Sequence, residues 1–430
     1  MFTEVQIENY KSIQSLKINL GRVNVFIGEN GCGKSNILEA IALAGAAAGN
    51  KLDNEFLAPR GIRVTEPEFM RSAFDKENIN KIIKIILQNH EMHVLAFAIH
   101  NENKPYSKWN QLISITNSHE KVLDILEELT DEYILESSSD DILLGKLTLE
   151  QTILNNITKI AKEYVNKTLE DEMSDIEDKP IHNLDRELTK KAIYDVTKHI
   201  ANEMSNERKK SNSILKDFLI YSPENSSLRT FEEEGQIQPL GAKGEGLHKL
   251  LRVLNMSPDK INEIKQKLEL IDWFDDFKVP NSDLERVVQI KDRYLDKELP
   301  YFNQRSSNEG FLFLMFYFAL FISDDTPKFF AIDNIENALN PKLCTKLIQE
   351  LVELAKKYDK QVIFTTHNPA ILDGLDLHDD EQRLFTIYRN IYGHTKVERI
   401  FAPQPLEDEE PVPLSEAFMN GYIGGLPDNF

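Results

Sequence analysis

The run Gly28-Glu29-Asn30-Gly31-Cys32-Gly33-Lys34-Ser35 fits G-x-x-x-x-G-K-[ST] at every specified position. Glycines at Gly28, Gly31 and Gly33 let backbone N–H groups come close to phosphate oxygens. A helix starting here points its N-terminus at them. In this pattern Lys34 neutralises β- and γ-phosphates and Ser35 offers a hydroxyl to Mg²⁺. Asn30, Gly31, Gly33, Lys34, Ser35 and Asn36 are therefore the expected ATP-binding residues. Near the other end, Lys328-Phe329-Phe330-Ala331-Ile332-Asp333 reads as a buried strand ending in a carboxylate. Asp333 joins Ser35 as an expected Mg²⁺ residue, reached through water. His367 follows the apolar run Gln361-Val362-Ile363-Phe364-Thr365-Thr366 and precedes Asn368-Pro369, a position from which it can sense a γ-phosphate. Ser306-Ser307-Asn308-Glu309-Gly310 precedes an apolar helix and makes a second anion site at a helix N-terminus.

These residues need strands and helices to hold them. Residues 2–8 and 14–20 alternate with period two, as strands do, with Asn9 to Ser12 as the turn between them. Val23 to Ile27 is a short apolar strand, and a helix is expected from about Ser35 to Ala48. Residues 79–100 read as a hairpin with its turn at Asn89 to Met92. His90 and His93 flank that turn, but no third metal ligand accompanies them. Phe311 to Ile322 is apolar throughout and reads as a buried helix, too short for a bilayer crossing of about 20 residues. A helix over 341–357 and strands over 361–367 and 383–388 complete the alternation, which implies a mostly parallel sheet. Residues 118–210 differ: they are polar and charged, with a capping box at Thr148 to Gln151. Two apolar stripes follow there, Leu149-Ile153-Ile157-Ile160-Tyr164 and Leu188-Ala192-Val196-Ile200. No heptad pattern persists, so a compact helical insertion is expected rather than a long coiled coil.

The totals narrow the partners. Acidic residues number 71 against 50 Lys and Arg, a formal net charge of −21. Nucleic-acid binding by the whole surface is excluded on that charge and would need a local basic stripe. The nearest candidate, Arg208, Lys209, Lys210 and Lys216, is read as a solvated helix end. The 430 residues contain two cysteines, Cys32 and Cys344, too few for a disulfide framework. With no apolar signal-peptide core at the N-terminus, a cytoplasmic location and no membrane partner are expected.

The segments IENYKSIQSLKINLGRVNVFIGENGCGKSNILEAI, SSNEG, FFAIDNIENALNP and QVIFTTHNPAILDGL resemble, in that order, the ABC-class head of SMC, RecF and OLD-type ATPases. The chain is most similar to compact bacterial AAA-type ATP-binding proteins that serve as ATPase subunits of antiphage systems of the Septu or PARIS kind. The resemblance implies an α/β P-loop NTPase fold, an ABC-type head with a mostly parallel sheet, an antiparallel β subdomain and a helical insertion. It divides the chain into an N-terminal lobe (1–117), the insertion (118–210), a C-terminal lobe (211–400) and a tail (401–430). It further implies that ATP is sandwiched between two copies. Ser307, Asn308 and Gly310 would then be the signature loop on the partner copy's γ-phosphate, Asn337 to Asn340 the D-loop and His367 the switch histidine. The family has a glutamate, the general base for the attacking water, where this chain has Asn334. Asparagine cannot take that proton, so either hydrolysis is slow and ATP acts as a clamp, or Glu336 is the base. The role this implies is a regulatory ATPase subunit that oligomerises around ATP and governs a separately encoded nuclease or toxin. The alternative is a RecF- or SMC-like DNA-binding ATPase in repair or maintenance.

Overall fold

A computed structural model describes residues 1–91, 93–104, 107–116, 210–231, 239–280, 286–296, 298–299, 301–402 and 412–426. The expected insertion, with its capping box and two stripes, and the acidic run Glu407 to Glu410 lie outside the described residues. Met1–Asn117 and Ile214–Phe430 together form one compact unit.

The chain opens with β1 (Phe2–Tyr10), β2 (Ile13–Asn19) and β3 (Val23–Ile27), then α1 (Lys34–Ala48). Strand β1 runs on through Tyr10, which pairs with Ile13, so the turn is shorter than the expected Asn9 to Ser12. Asn9 and Lys11 take left-handed φ values of 59° and 46°. The Asn9 amide offsets its strain by donating to the carbonyls of Asn78, Lys81 and Ile82. The strands β4 (Ile83–Asn89), β5 (Val94–His100) and β6 (Asn110–Thr116) follow. They extend β1 and β2 into a five-stranded sheet of order β2-β1-β4-β5-β6, antiparallel at every pair. The Asn89 side chain accepts from the N–H groups of Glu91 and His93 and closes the β4–β5 hairpin.

After β7 (Ile220–Tyr221) come the helices α2 (Leu247–Leu254) and α3 (Pro258–Leu268), and a small antiparallel sheet of β8 (Phe274–Lys278), β9 (Gln289–Asp292) and β10 (Phe302–Asn303). Helix α4 (Glu309–Ile322) is buried at every position from Phe311 to Ile322. A helix apolar on all sides can be stable only inside a core. The last elements are β11 (Phe329–Ile332), α5 (Pro341–Lys357), β12 (Gln361–Thr366), β13 (Gln382–Arg389), β14 (Thr395–Ile400) and α6 (Leu414–Met419). Among the described residues no helix is long and apolar enough to cross a membrane.

The second large sheet has the order β14-β13-β3-β12-β11-β7. Strands β7, β11, β12, β3 and β13 run parallel, and only the edge strand β14 is antiparallel. The fully buried runs of β3, β11 and β12 are what a parallel sheet covered on both faces requires. Together with the glycine loop between β3 and α1, this is the P-loop NTPase fold: α/β, mostly parallel, with an antiparallel β subdomain. One of the ties between the two sheets is a single side chain. Gln361 at the start of β12 accepts from Phe2 N and donates to the carbonyls of Phe2 and Gly21.

Candidate nucleotide site

The site follows from the strand order. Strand β3 lies between β12 and β13, and β11 lies beyond β12. All four run the same way, so Gly28, His367 and Asp333 leave their strands at one edge of the sheet, where open α/β sheets bind ligands.

Gly28 and Gly33 have room for hydrogen alone. A Cβ on Gly28 would lie 2.0 Å from the Ile387 carbonyl oxygen, and one on Gly33 would lie 2.1 Å from Thr395 Oγ1. Both also hold positive φ, as does Gly31 at the exposed tip beside Asn30. Lys34 folds back over the loop and donates to the carbonyls of Gly28 (2.8 Å) and Glu29 (2.9 Å), with Cys32 Sγ at 3.7 Å. Burial pushes its pKa below the usual lysine value, so an incoming anion meets a poorly hydrated ammonium. Beneath the loop, Thr395 Oγ1 donates to the Cys32 carbonyl (2.8 Å) and lies 2.6 Å from Ser12 Oγ, which also accepts from Asn36 Nδ2 (2.6 Å).

The Ser35 hydroxyl faces Asp333, with Oγ to Oδ2 at 3.2 Å. The Thr365 hydroxyl donates to the other carboxylate oxygen and accepts from the Asn334 N–H at 2.9 Å. Hydroxyl and carboxylate oxygens are the hard donors Mg²⁺ takes, so the residues present fit that ion. Asn334 itself sits at φ 56°. That left-handed backbone suits asparagine and strains longer side chains, which gives a physical reason for its presence after the carboxylate. The tight turn brings Glu336 back to the site. Its Oε1 accepts from the His367 N–H at 2.8 Å, while its Oε2 is buried with no hydrogen-bond partner. His367 is open to solvent on one side. Partial burial, and next the Lys34 charge, lower its pKa, so its ring stays neutral near pH 7.

One cluster here escapes sequence reading. Glu39 on α1 is 1% exposed and binds both Lys11 and Arg63, the latter at 2.5 Å. Arg63 Nη2 also donates to Asn36 Oδ1 at 3.0 Å. The lysine comes from the β1–β2 turn and the arginine from a loop, so no local pattern links them. The structure gathers Asn30, Gly31, Gly33, Lys34, Ser35, Asn36, Asp333, Asn334, Glu336 and His367 at one sheet edge. Ser307, Asn308 and Gly310 are not part of that group. Asn308 caps α4 by accepting from Phe311 N at 2.8 Å. Asn308 and Gly310 line a separate cavity of about 700 Å³ with Ala338, Asn340 and Lys342, and no P-loop residue borders it. Ser307 is 4% exposed, and its Oγ has no hydrogen-bond partner.

Residues 1–372 match the AAA ATPase domain family, and the chain belongs to that family. It is similar to the DNA replication and repair protein RecF of Bacillus mycoides, 39% identical over 54 residues, covering 12% of this chain and 14% of that protein. RecF of Clostridium perfringens is 36% identical over 84 residues, 19% of this chain and 22% of that protein. An uncharacterized protein of Methanocaldococcus jannaschii is 33% identical over 91 residues, 20% of this chain and 28% of that protein. The chain thus spans less than a third of the length of these relatives. Among solved structures, it is similar to an Smc head domain from Pyrococcus furiosus, bound to the C-terminal domain of ScpA, with TM-score 0.45 and 15% identity over 93% of this chain and 96% of that one. An SMC head domain from Thermotoga maritima gives TM-score 0.43 and 12% identity over 93% and 98%.

Proposed function

We propose that this chain binds ATP with Mg²⁺ at the P-loop, that the nucleotide joins two copies, and that the joined form controls a separately encoded nuclease or toxin in antiphage defence. The observation that supports the reading is a division between two separate groups of the residues expected to meet phosphate. The P-loop, Lys34, Ser35, Asp333, Glu336 and His367 stand together. The Ser307 hydroxyl, buried and without a partner, waits at the N-terminus of α4. The cavity lined by its neighbours Asn308 and Gly310 touches no P-loop residue. A triphosphate held by one copy and reached by Ser307, Asn308 and Gly310 of another satisfies both. Such a ligand stabilises the assembly by mass action. Mg²⁺, when bound at Ser35 and Asp333, neutralises phosphate charge. Lys34 holds the β- and γ-phosphates, His367 senses the γ-phosphate, and Glu336 takes the proton of the attacking water through its unpartnered Oε2.

Calorimetry and light scattering test this. Lys34→Ala should abolish ATP binding. ATP should raise the mass of wild type and leave Gly310→Arg unchanged, because even a Cβ at Gly310 comes within 2.9 Å of the Ala338 carbonyl oxygen. An assembly indifferent to nucleotide and to that substitution refutes the sandwich, and a chain that protects cells unaided refutes the separate effector. Similarity to RecF, by name a DNA replication and repair protein, supports a second reading as a DNA-binding ATPase. Salt-sensitive DNA binding by this chain would favour it.

A further inference from the structure

Beside the P-loop lies a concavity of about 400 Å³, lined by Ser12, Asn36, Arg63, Phe69, Phe74 and Arg389 among others. Its inner end adjoins the phosphate site, since Asn36 follows Ser35 on α1 and its amide is tied to Ser12. The outer end is aromatic and open. Phe69 is 57% exposed and Phe74 48%.

Phe74 is held in place although it is exposed. The His394 ring meets it edge-on, with centroids 5.4 Å apart and planes at 70°. Gly393, at φ 78°, lies so close that a Cβ there would stand 3.2 Å from Phe74 Cε1. The Arg389 guanidinium sits 5.9 Å from the ring centroid. Both Gly393 and His394 belong to the β13–β14 connection, and Arg389 ends β13, so one hairpin fixes the ring and supplies the cation. An exposed phenylalanine fixed by a hairpin, with a guanidinium over it, is a surface for a planar heteroaromatic ring. Its place in one concavity with Asn36, the neighbour of Ser35, and Arg63 says which ring.

We propose that Phe74, set by the β13–β14 hairpin and flanked by Arg389, stacks the base of the nucleotide whose phosphates the P-loop holds. The proposal rests on the P-loop's role as the phosphate site. Among the described residues no carboxylate lines the concavity, so the base is held by its face and by cations. Purine nucleotides, with the larger ring, should bind more tightly than pyrimidine nucleotides.

The test uses the full chain and two probes, ATP and inorganic tripolyphosphate, titrated into wild type, Phe74→Ala, Phe74→Tyr and Lys34→Ala. Base stacking removed by alanine weakens binding by roughly ten- to a hundredfold. Phe74→Ala should therefore lose ATP affinity by that factor and keep tripolyphosphate affinity within about twofold. Phe74→Tyr should restore ATP binding. An unchanged ATP affinity in Phe74→Ala, or an equal loss for both probes, overturns the proposal. Lys34→Ala separates the two readings: if it leaves tripolyphosphate binding intact, the P-loop reading itself has failed. A thermal unfolding curve of Phe74→Ala that matches wild type shows that any loss is local.

Discussion

Glu336→Gln separates a catalytic carboxylate from a structural one. The substitution keeps the shape of the side chain, and the amide oxygen can still accept from the His367 N–H that Glu336 Oε1 now holds at 2.8 Å. What changes is Oε2, which is buried and has no partner. It becomes an NH₂ group that cannot take a proton. If Glu336 only anchors His367, the change weakens one charge-assisted hydrogen bond to a neutral one. That is worth about 1 kcal/mol, or roughly fivefold in rate. If Oε2 is the general base, the loss is about 10²–10⁴, equivalent to about 3–5 kcal/mol on the barrier. The two cases do not overlap. Single-turnover phosphate release, with ATP affinity measured alongside, decides between them. The expected result is unchanged affinity with release slowed at least a hundredfold, and a loss under about tenfold refutes the base assignment.

Two further predictions come from other parts of the fold. Lys360 is fully buried, and its ammonium donates to the carbonyls of Ser323, Thr326 and Pro327 and to the Thr326 hydroxyl. Lys360→Met removes all four bonds, leaving the Ser323 carbonyl with the Thr326 hydroxyl as its donor, and should cost about 3 kcal/mol in urea unfolding; a loss under about 1 kcal/mol would mean that water replaces the ammonium. His367 has a lowered pKa in the folded chain, so just below its unfolded value the unfolded chain binds the extra proton. Stability must then fall as pH drops through that window, and His367→Gln should lessen the fall in thermal midpoint between about pH 6.5 and 5. Parallel wild-type and variant curves would remove His367 as the cause.

The phosphate loop was legible because its determinants are contiguous: an apolar strand, eight residues of fixed pattern, and a helix. Asp333 and His367 were legible for a related reason, since each ends a short buried strand and parallel strands bring such ends to one edge. Partnerships across the chain were not legible. Nothing near Glu39 announces that Lys11 and Arg63 will neutralise it, and nothing near Gln361 announces Phe2. The turn at Asn9 to Ser12 came out shorter because Asn9 finds three carbonyls more than 65 residues away. The small sheet of β8, β9 and β10 had no clear alternation to betray it. For Asn334 the sequence shows a missing carboxylate, while the left-handed φ that favours asparagine there belongs to the folded turn.

The hold of Thr395 on the P-loop has a consequence for how the protein is made. Chains emerge from the ribosome N-terminus first, at about 5–20 residues per second, so Gly28 to Ser35 is synthesised well before β12, β13 and Thr395. Yet the loop's underside is closed by a residue more than 360 positions later, which bonds the Cys32 carbonyl and fills the space beside Gly33. The strands flanking β3, β12 and β13, are late as well. The loop therefore reaches its final form only once those later residues are in place. A nascent chain that stops before Thr395 carries the nucleotide signature without the residue that closes the loop's underside.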